Sequence, residues 1–357
     1  MNASKIIRVL ILSLLLVFTG VYSHTYAATI PPVDDAITLG KMAVATLEFP
    51  DLTDLKRGER KIPIKIHFPK DINDPMPVII VSHGAGGNWD THYAQAHHLA
   101  SHGYIVLCVE HTGSNTTFMK RNLRWFKNLK SMVRTADEVL GRPKDISFAI
   151  DQAERWNRSH AMLHGKFDMK HVGVMGHSFG AYTTLAISGA RPALDWLQPP
   201  LAPGKGIGPS LRDERVKCSV ALSPQGVGEP FFLRESFAYL QIPVLGISGS
   251  KDKELSGDRP PDNRYQAFSL WPNAQGNNKY VWITNARHLD FTDAHGSNKR
   301  ELPSEARAQV QTIVKAATLL FFNAHLKDDA KSKNKLTTEG LKLYLGDSIN
   351  HVEVRTK

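Results

Sequence analysis

From residue 60 onward, short β-branched runs alternate with stretches of helical periodicity, and this alternation constrains the fold more than any other feature of the chain. KIPIKIHF places Ile62, Ile64 and Ile66 in strict alternation, the pattern of a half-buried strand. PVIIVSHG and YIVLCVEH read as strands covered on both faces, and HVGVMG, KCSVALSP, IPVLGISG and KYVWITN as further strands. Between them, HYAQAHHLASHG reads as a helix closed by Gly103, and RPKDISFAIDQAERW sets Ile146, Ile150, Ala153 and Trp156 on one helical face. FGAYTTLAISG and the long EARAQVQTIVKAATLLFFNAHL are also helical. Such alternation implies an α/β architecture, a mostly parallel twisted sheet with helices on both faces. At 357 residues and 42% hydrophobic, the chain suits one large domain, expected over residues 28–326, with 327–357 as a C-terminal appendage. Two long stretches break the rhythm, 113–143 and the Pro- and Gly-rich 190–215. Long connections of this kind are either functional lids or binding loops or plain surface loops, and 190–215 is a possible lid or pocket loop.

The N-terminus has a different layout. MNASKIIR carries Lys5 and Arg8, VLILSLLLVFTGV is apolar, and SHTYAA ends in small residues. This is the plan of a signal peptide over residues 1–27, which predicts export to the periplasm or medium. The apolar run Val9–Val21 is short for a bilayer span of about 20 residues, so no stable transmembrane anchor is expected. Cleavage would remove Lys5 and Arg8 from a formal charge of +10. The remaining basic residues are scattered, apart from a cluster in KRNLRWFKNLKSMVR, and no recognition motif accompanies them. Nucleic acid is therefore not an expected partner, whereas an anionic surface is compatible with the charge. Cys108 and Cys218 lie in apolar strand runs and read as buried free thiols. No pattern in the chain bears on its oligomeric state.

The chemistry centres on GHSFG, Gly176 to Gly180, placed between the strand HVGVM and the helix AYTTLAIS. A serine on a sharp strand-to-helix turn is a nucleophile elbow: the glycines relieve crowding, and the following helix N-terminus favours developing negative charge. Ser178 is the candidate nucleophile. In α/β-hydrolase order an acid and then a histidine follow, at the ends of later strands. IPVLGISGSKDKE presents Asp252 and KYVWITNARHLDF presents His288, with Asp258 and Asp262 as alternative acids nearby. His288 would take the Ser178 proton, and the acid would fix the imidazole tautomer. The turn SHGAGG and the residue after the nucleophile supply candidate oxyanion donors, the backbone N–H groups of Ala85 and Phe179.

Several of these motifs together resemble the bacterial dienelactone-hydrolase-like proteins related to platelet-activating-factor acetylhydrolases. The resemblance rests on PVIIVSHGAGG, HHLASHGYIVLCVEHTGSN, RPKDISFAIDQ, GHSFGAYT, VALSPQG and HLDFTD, across roughly residues 58 to 325. It implies an α/β-hydrolase fold and a cofactor-free serine esterase of the carboxylesterase or lipase kind, acting on a small or lipid-like ester. By match, Ser178 is the nucleophile, His288 the base, and Ala85 with Phe179 the oxyanion donors. Two departures stand out. The acetylhydrolases carry their acid after the strand that follows the elbow helix, where this chain has Ser223, so Asp252 is expected instead. Dienelactone hydrolases proper use a cysteine nucleophile, so dienelactone is not implied as substrate. An amidase or peptidase of the same fold, or a catalytically silent binding protein, are the competing readings.

Other residues have plainer expectations. His83 and His177 beside the glycine turns read as structural hydrogen-bonders. His92, His97, His98 and His102 lack an H-E-x-x-H pattern and read as a solvated helix face, so no metal site is expected. Trp89, Trp196, Gln225 and Phe231 are candidates for the substrate pocket.

Overall fold

A computed structural model describes residues 36–254, 259–293, 305–345 and 351–357, and in it the alternating runs join into one nine-stranded sheet. The strands are β1 (Val44–Phe49), β2 (Ile64–Pro69), β3 (Met76–Ser82), β4 (Ile105–Val109), β5 (Phe167–His177), β6 (Val216–Leu222), β7 (Val244–Lys251), β8 (Lys279–Arg287) and β9 (Val352–Thr356). Their order across the sheet is β1-β2-β4-β3-β5-β6-β7-β8-β9. The run from β4 through β8 is parallel, while β1, β2 and β9 pair antiparallel at the margins. The expected α/β fold with a mostly parallel sheet is therefore present.

The central strands are apolar because both faces are covered. Along β3, Ile79 and Val81 face one core with Val106 of β4, while Val78 and Ile80 face the other with Ile105 and Leu107. The first core is closed by α1 (Tyr93–Ser101) and by α5 (Glu305–Leu326), through residues such as Leu99, Ile313 and Phe322. The second is closed by α3 (Gly141–Ser159), through Ile146, Ile150, Ala153 and Trp156, the face its sequence predicts. A third cluster sits under α4 (Phe179–Ile187), where Tyr182 and Leu185 meet Phe232, Phe237 and Tyr280. Cys108 and Cys218 are buried free thiols. Among the described residues no helix is long and apolar enough to cross a membrane. The proposed leader, residues 1–27, lies outside the described residues.

Three sequence expectations need correction. Residues 327–357 are not an appendage: Leu336, Leu341 and Val352 join the first core, and β9 pairs with β8 in the main sheet. Pro31–Lys357 forms one unit without a break at residue 326. The segment 113–143, read from sequence as a long connection, folds into Thr116–Lys120, α2 (Trp125–Met132) and Ala136–Val139. The histidine-rich helix α1 does not present a solvated histidine face. His92, His98 and His102 are buried, and the rings of His98 and His102 meet edge-on at 4.7 Å. Burial pulls His98 down to about 3, so it packs as a neutral ring.

Candidate functional site

Strands β3, β5, β6, β7 and β8 all deliver their C-terminal ends to one edge of the sheet, and the predicted site residues collect there. Ser178 follows β5 directly and caps α4 with φ +56° and ψ −116°. A non-glycine residue in that region carries about 1–3 kcal/mol of strain, which surrounding contacts must hold. Here the Ser178 N–H donates to the Leu222 carbonyl at 2.9 Å, and the flanking glycines allow the turn to close. A Cβ on Gly180 would fall 2.0 Å from the Ser82 carbonyl oxygen, and one on Gly176 would fall 2.4 Å from the Gly180 carbonyl oxygen. Only glycine fits either position without moving backbone.

His288 follows β8, and its Nε2 lies 3.0 Å from Ser178 Oγ. Its Nδ1 lies 2.8 Å from Asp252 Oδ1, just past β7. A carboxylate only accepts, so Nδ1 carries the proton and Nε2 is left to accept from the serine hydroxyl. Asp252 is completely buried. Of the alternative acids, Asp262 is exposed at the start of a short helix and Asp258 lies outside the described residues. The arrangement can therefore move a proton from Ser178 to an oriented, charge-compensated imidazole.

Sequence reasoning missed two groups that surround Asp252. Ser223 stands at φ +54°, and its Oγ lies 3.0 Å from Asp252 Oδ1 and 2.9 Å from His288 Nδ1. Its hydroxyl donates to the carboxylate. Arg264 is 3% exposed and places Nε 3.3 Å from Asp252 Oδ1. It also donates to the carbonyls of Asp252, Ser223 and Pro224 at 3.2, 3.2 and 3.0 Å. Nothing local in PDNRYQ signals this contact, which depends on how that helix packs against the β7 end.

The site opens into a cavity of about 510 Å³. Ala85, Ser178, Phe179, Gln225 and His288 line its floor, with Phe126, Leu129, Val133 and Phe231 as apolar wall and Lys130, Arg134, Glu229, Glu254 and Arg259 as polar rim. Gln225 lines this cavity and donates through Nε2 to the Ser178 carbonyl at 2.7 Å. Trp89 and Trp196 do not line this cavity. The Trp89 ring packs against the first core with Lys65 Nζ 5.8 Å from its centroid. Trp196 belongs to the 190–215 stretch, which lines none of the cavity and backs its wall instead. There the Ala193 N–H donates to Phe231 and the Gln198 N–H to Arg134. Phe126, Leu129 and Val133 of the cavity wall come from the 113–143 segment.

The flanking histidines act through the backbone. His177 Nε2 lies 2.9 Å from the His288 carbonyl oxygen and His83 Nδ1 2.7 Å from that of Gly84. Burial pushes both well below the ordinary histidine value, so both are neutral donors.

Residues 23–137 match the family model described as platelet-activating factor acetylhydrolase, isoform II, a stretch that includes the SHGAGG turn and ends before Ser178. A platelet-activating factor acetylhydrolase of Cavia porcellus is 24% identical over 312 residues, covering 77% of this chain. The matched stretch covers 63% of that relative's length. Over part of its length the chain is thus similar to platelet-activating factor acetylhydrolases, on a mostly parallel α/β sheet.

Proposed function

We propose that the chain is a serine esterase that hydrolyses carboxylic esters of a lipid-like substrate through an acyl-enzyme. The observation that carries this reading is the strained Ser178, 3.0 Å from the Nε2 of a histidine whose Nδ1 is held by a buried carboxylate. Ser178 Oγ attacks the ester carbonyl carbon while His288 Nε2 takes its proton. The carbonyl oxygen becomes an oxyanion facing the N–H groups of Ala85 and Phe179, and Asp252 stabilises the imidazolium. Collapse of the tetrahedral intermediate breaks the ester C–O bond, and the leaving alcohol takes the proton from His288. Water then attacks the acyl carbon, passes a proton to His288, and frees the acid and Ser178. No cofactor enters any step.

Lipid-like substrates are favoured by the apolar wall and by what flanks it. Leu123, Trp125 and Phe126 are 97%, 56% and 89% exposed beside the cavity, among the exposed Lys120, Arg121, Arg124, Lys127 and Lys130. An apolar patch rimmed by cations is the kind of surface an anionic lipid aggregate would meet. Residues 1–27 fit a leader that directs export, which N-terminal sequencing of the mature protein would test.

The reading is tested with a chain-length series of p-nitrophenyl esters, each paired with the matched anilide and with Ser178→Ala. Ester turnover that vanishes in the variant is expected. Full turnover in the variant would overturn the mechanism, and faster anilide than ester cleavage would make the protein an amidase.

A further inference from the structure

Behind the SHGAGG turn lies a buried polar cluster that the mechanism above leaves unused, and Arg142 is its centre. Arg142, the second residue of α3, is completely buried. Burial pulls its guanidinium down to about 9, against the support of Glu138 and Asp145, so it stays charged at neutral pH. Among the described residues neither carboxylate bonds it directly. Glu138 is taken by Arg60 and Ser114, and Asp145 by Arg57, Arg60 and His111. The hydrogen bonds of Arg142 go elsewhere. Nη2 donates to the His83 carbonyl, and to Ser82 Oγ at 3.1 Å, while Nη1 donates to Ser114 Oγ at 3.2 Å. The guanidinium carbon also lies 4.2 Å from the centroid of the Phe179 ring.

One side chain thus touches both sources of the oxyanion donors. Through its donors it grips the turn that carries Ala85, and its guanidinium carbon lies over the Phe179 ring. A planar guanidinium can do both at once, because its donors lie in the plane and its cation–π contact lies across it. The grip passes along the turn. His83 Nε2 accepts the His111 N–H at 3.0 Å, which leaves the proton on Nδ1 to donate to the Gly84 carbonyl. That carbonyl belongs to the peptide whose N–H is that of Ala85. A hydrogen bond to a peptide's carbonyl oxygen polarises its N–H and strengthens it as a donor.

We propose that Arg142 is a positioning residue that holds the Ala85 and Phe179 N–H groups in register for the oxyanion, through the His83 carbonyl on one side and the Phe179 ring on the other. The proposal rests on the esterase reading of Ser178. Its test compares Arg142→Met, Arg142→Lys and Ser114→Ala with the wild type. Titration with diethyl p-nitrophenyl phosphate counts competent sites, and p-nitrophenyl acetate gives kcat and KM. A trifluoromethyl ketone, whose adduct with serine carries an oxyanion, reports on the hole itself.

In Arg142→Met, kcat per titrated site falls about 100-fold with KM changed by less than about threefold, the scale of one lost oxyanion donor. The trifluoromethyl ketone Ki weakens by the same factor as kcat/KM, and Arg142→Lys recovers part of the loss. Normal kcat per titrated site and an unchanged Ki, with fewer sites, would show a purely structural role and overturn the proposal. Should Arg142→Met fail to fold, Arg142→Lys and Ser114→Ala decide the matter: parallel losses in kcat and Ki support it, and unchanged values overturn it. A wild-type protein that does not titrate at Ser178 would overturn the esterase reading itself, and the proposal with it.

Discussion

Replacing Asp252 with asparagine exchanges one carboxylate oxygen for an NH2 group and removes one negative charge from a fully buried position. The amide oxygen has strong reason to stay where Oδ1 now lies, since His288 Nδ1, Ser223 Oγ and Arg264 Nε all converge there within 3.3 Å. The imidazole tautomer is then preserved, and the loss is electrostatic. For charge centres about 4 Å apart at an effective dielectric constant of about 20, the carboxylate stabilises the imidazolium by about 4 kcal/mol, roughly a thousandfold in rate. Arg264 keeps its three carbonyl acceptors, so the stability cost should sit near the low end for a broken buried pair, about 3 kcal/mol. The assay is kcat on p-nitrophenyl acetate, with urea denaturation beside it. Asp262→Asn is the control, and its rate should stay within about twofold because an exposed substitution touches none of these contacts. A kcat for Asp252→Asn within tenfold of the wild type, or an equal loss in Asp262→Asn, would refute the assignment of the acid.

Three further outcomes follow from the same geometry. Gly180→Ala must push apart α4 and the end of β3, where its Cβ would lie 2.0 Å from the Ser82 carbonyl oxygen, and kcat should fall by about 100-fold or more. An unaltered rate would mean that the elbow is looser than described. Thermal stability should decline from pH 7 to pH 5. Burial holds His67 and His325 down to about 4 and His98 and His111 to about 3, below their unfolded value, so the unfolded chain binds more protons as pH falls through about 6.5. Each such histidine then forfeits up to about 2 kcal/mol by pH 5, and a flat Tm across that range would contradict their burial. Leu123→Ser with Trp125→Ser should weaken partitioning onto phosphatidylglycerol vesicles while leaving p-nitrophenyl acetate turnover intact, since neither side chain lines the cavity. Equal sedimentation of variant and wild type with the vesicles would remove the patch from the account.

The strands that read clearly in the sequence are the central ones, because coverage on both faces forces runs such as VIIVS and IVLCV. The margins did not read. β1 and β9 are partly exposed, with mixed sequences VATLEF and VEVRT, so residues 327–357 passed for an appendage. Ser178, Asp252 and His288 were legible because each sits at a fixed place past a strand end. Arg264, Arg142 and the Ser223 hydroxyl were not assigned their roles, since these depend on distant segments meeting. Arg142 opens the motif RPKDISFAIDQ, yet its contacts lie 28 to 60 residues away. His92 and His98 misled for the opposite reason: the histidine-rich stretch looks polar, but burial lowers the pKa of both and packs them inside.

The central claim is that Ser178 is the nucleophile activated by His288. Incubation of the folded protein with a fluorophosphonate, followed by peptide mass mapping, tests it directly. The account predicts one adduct per chain, on the peptide containing Ser178, formed much more slowly in His288→Ala and absent in Ser178→Ala. An adduct on another residue, or undiminished labelling of Ser178→Ala, would contradict it.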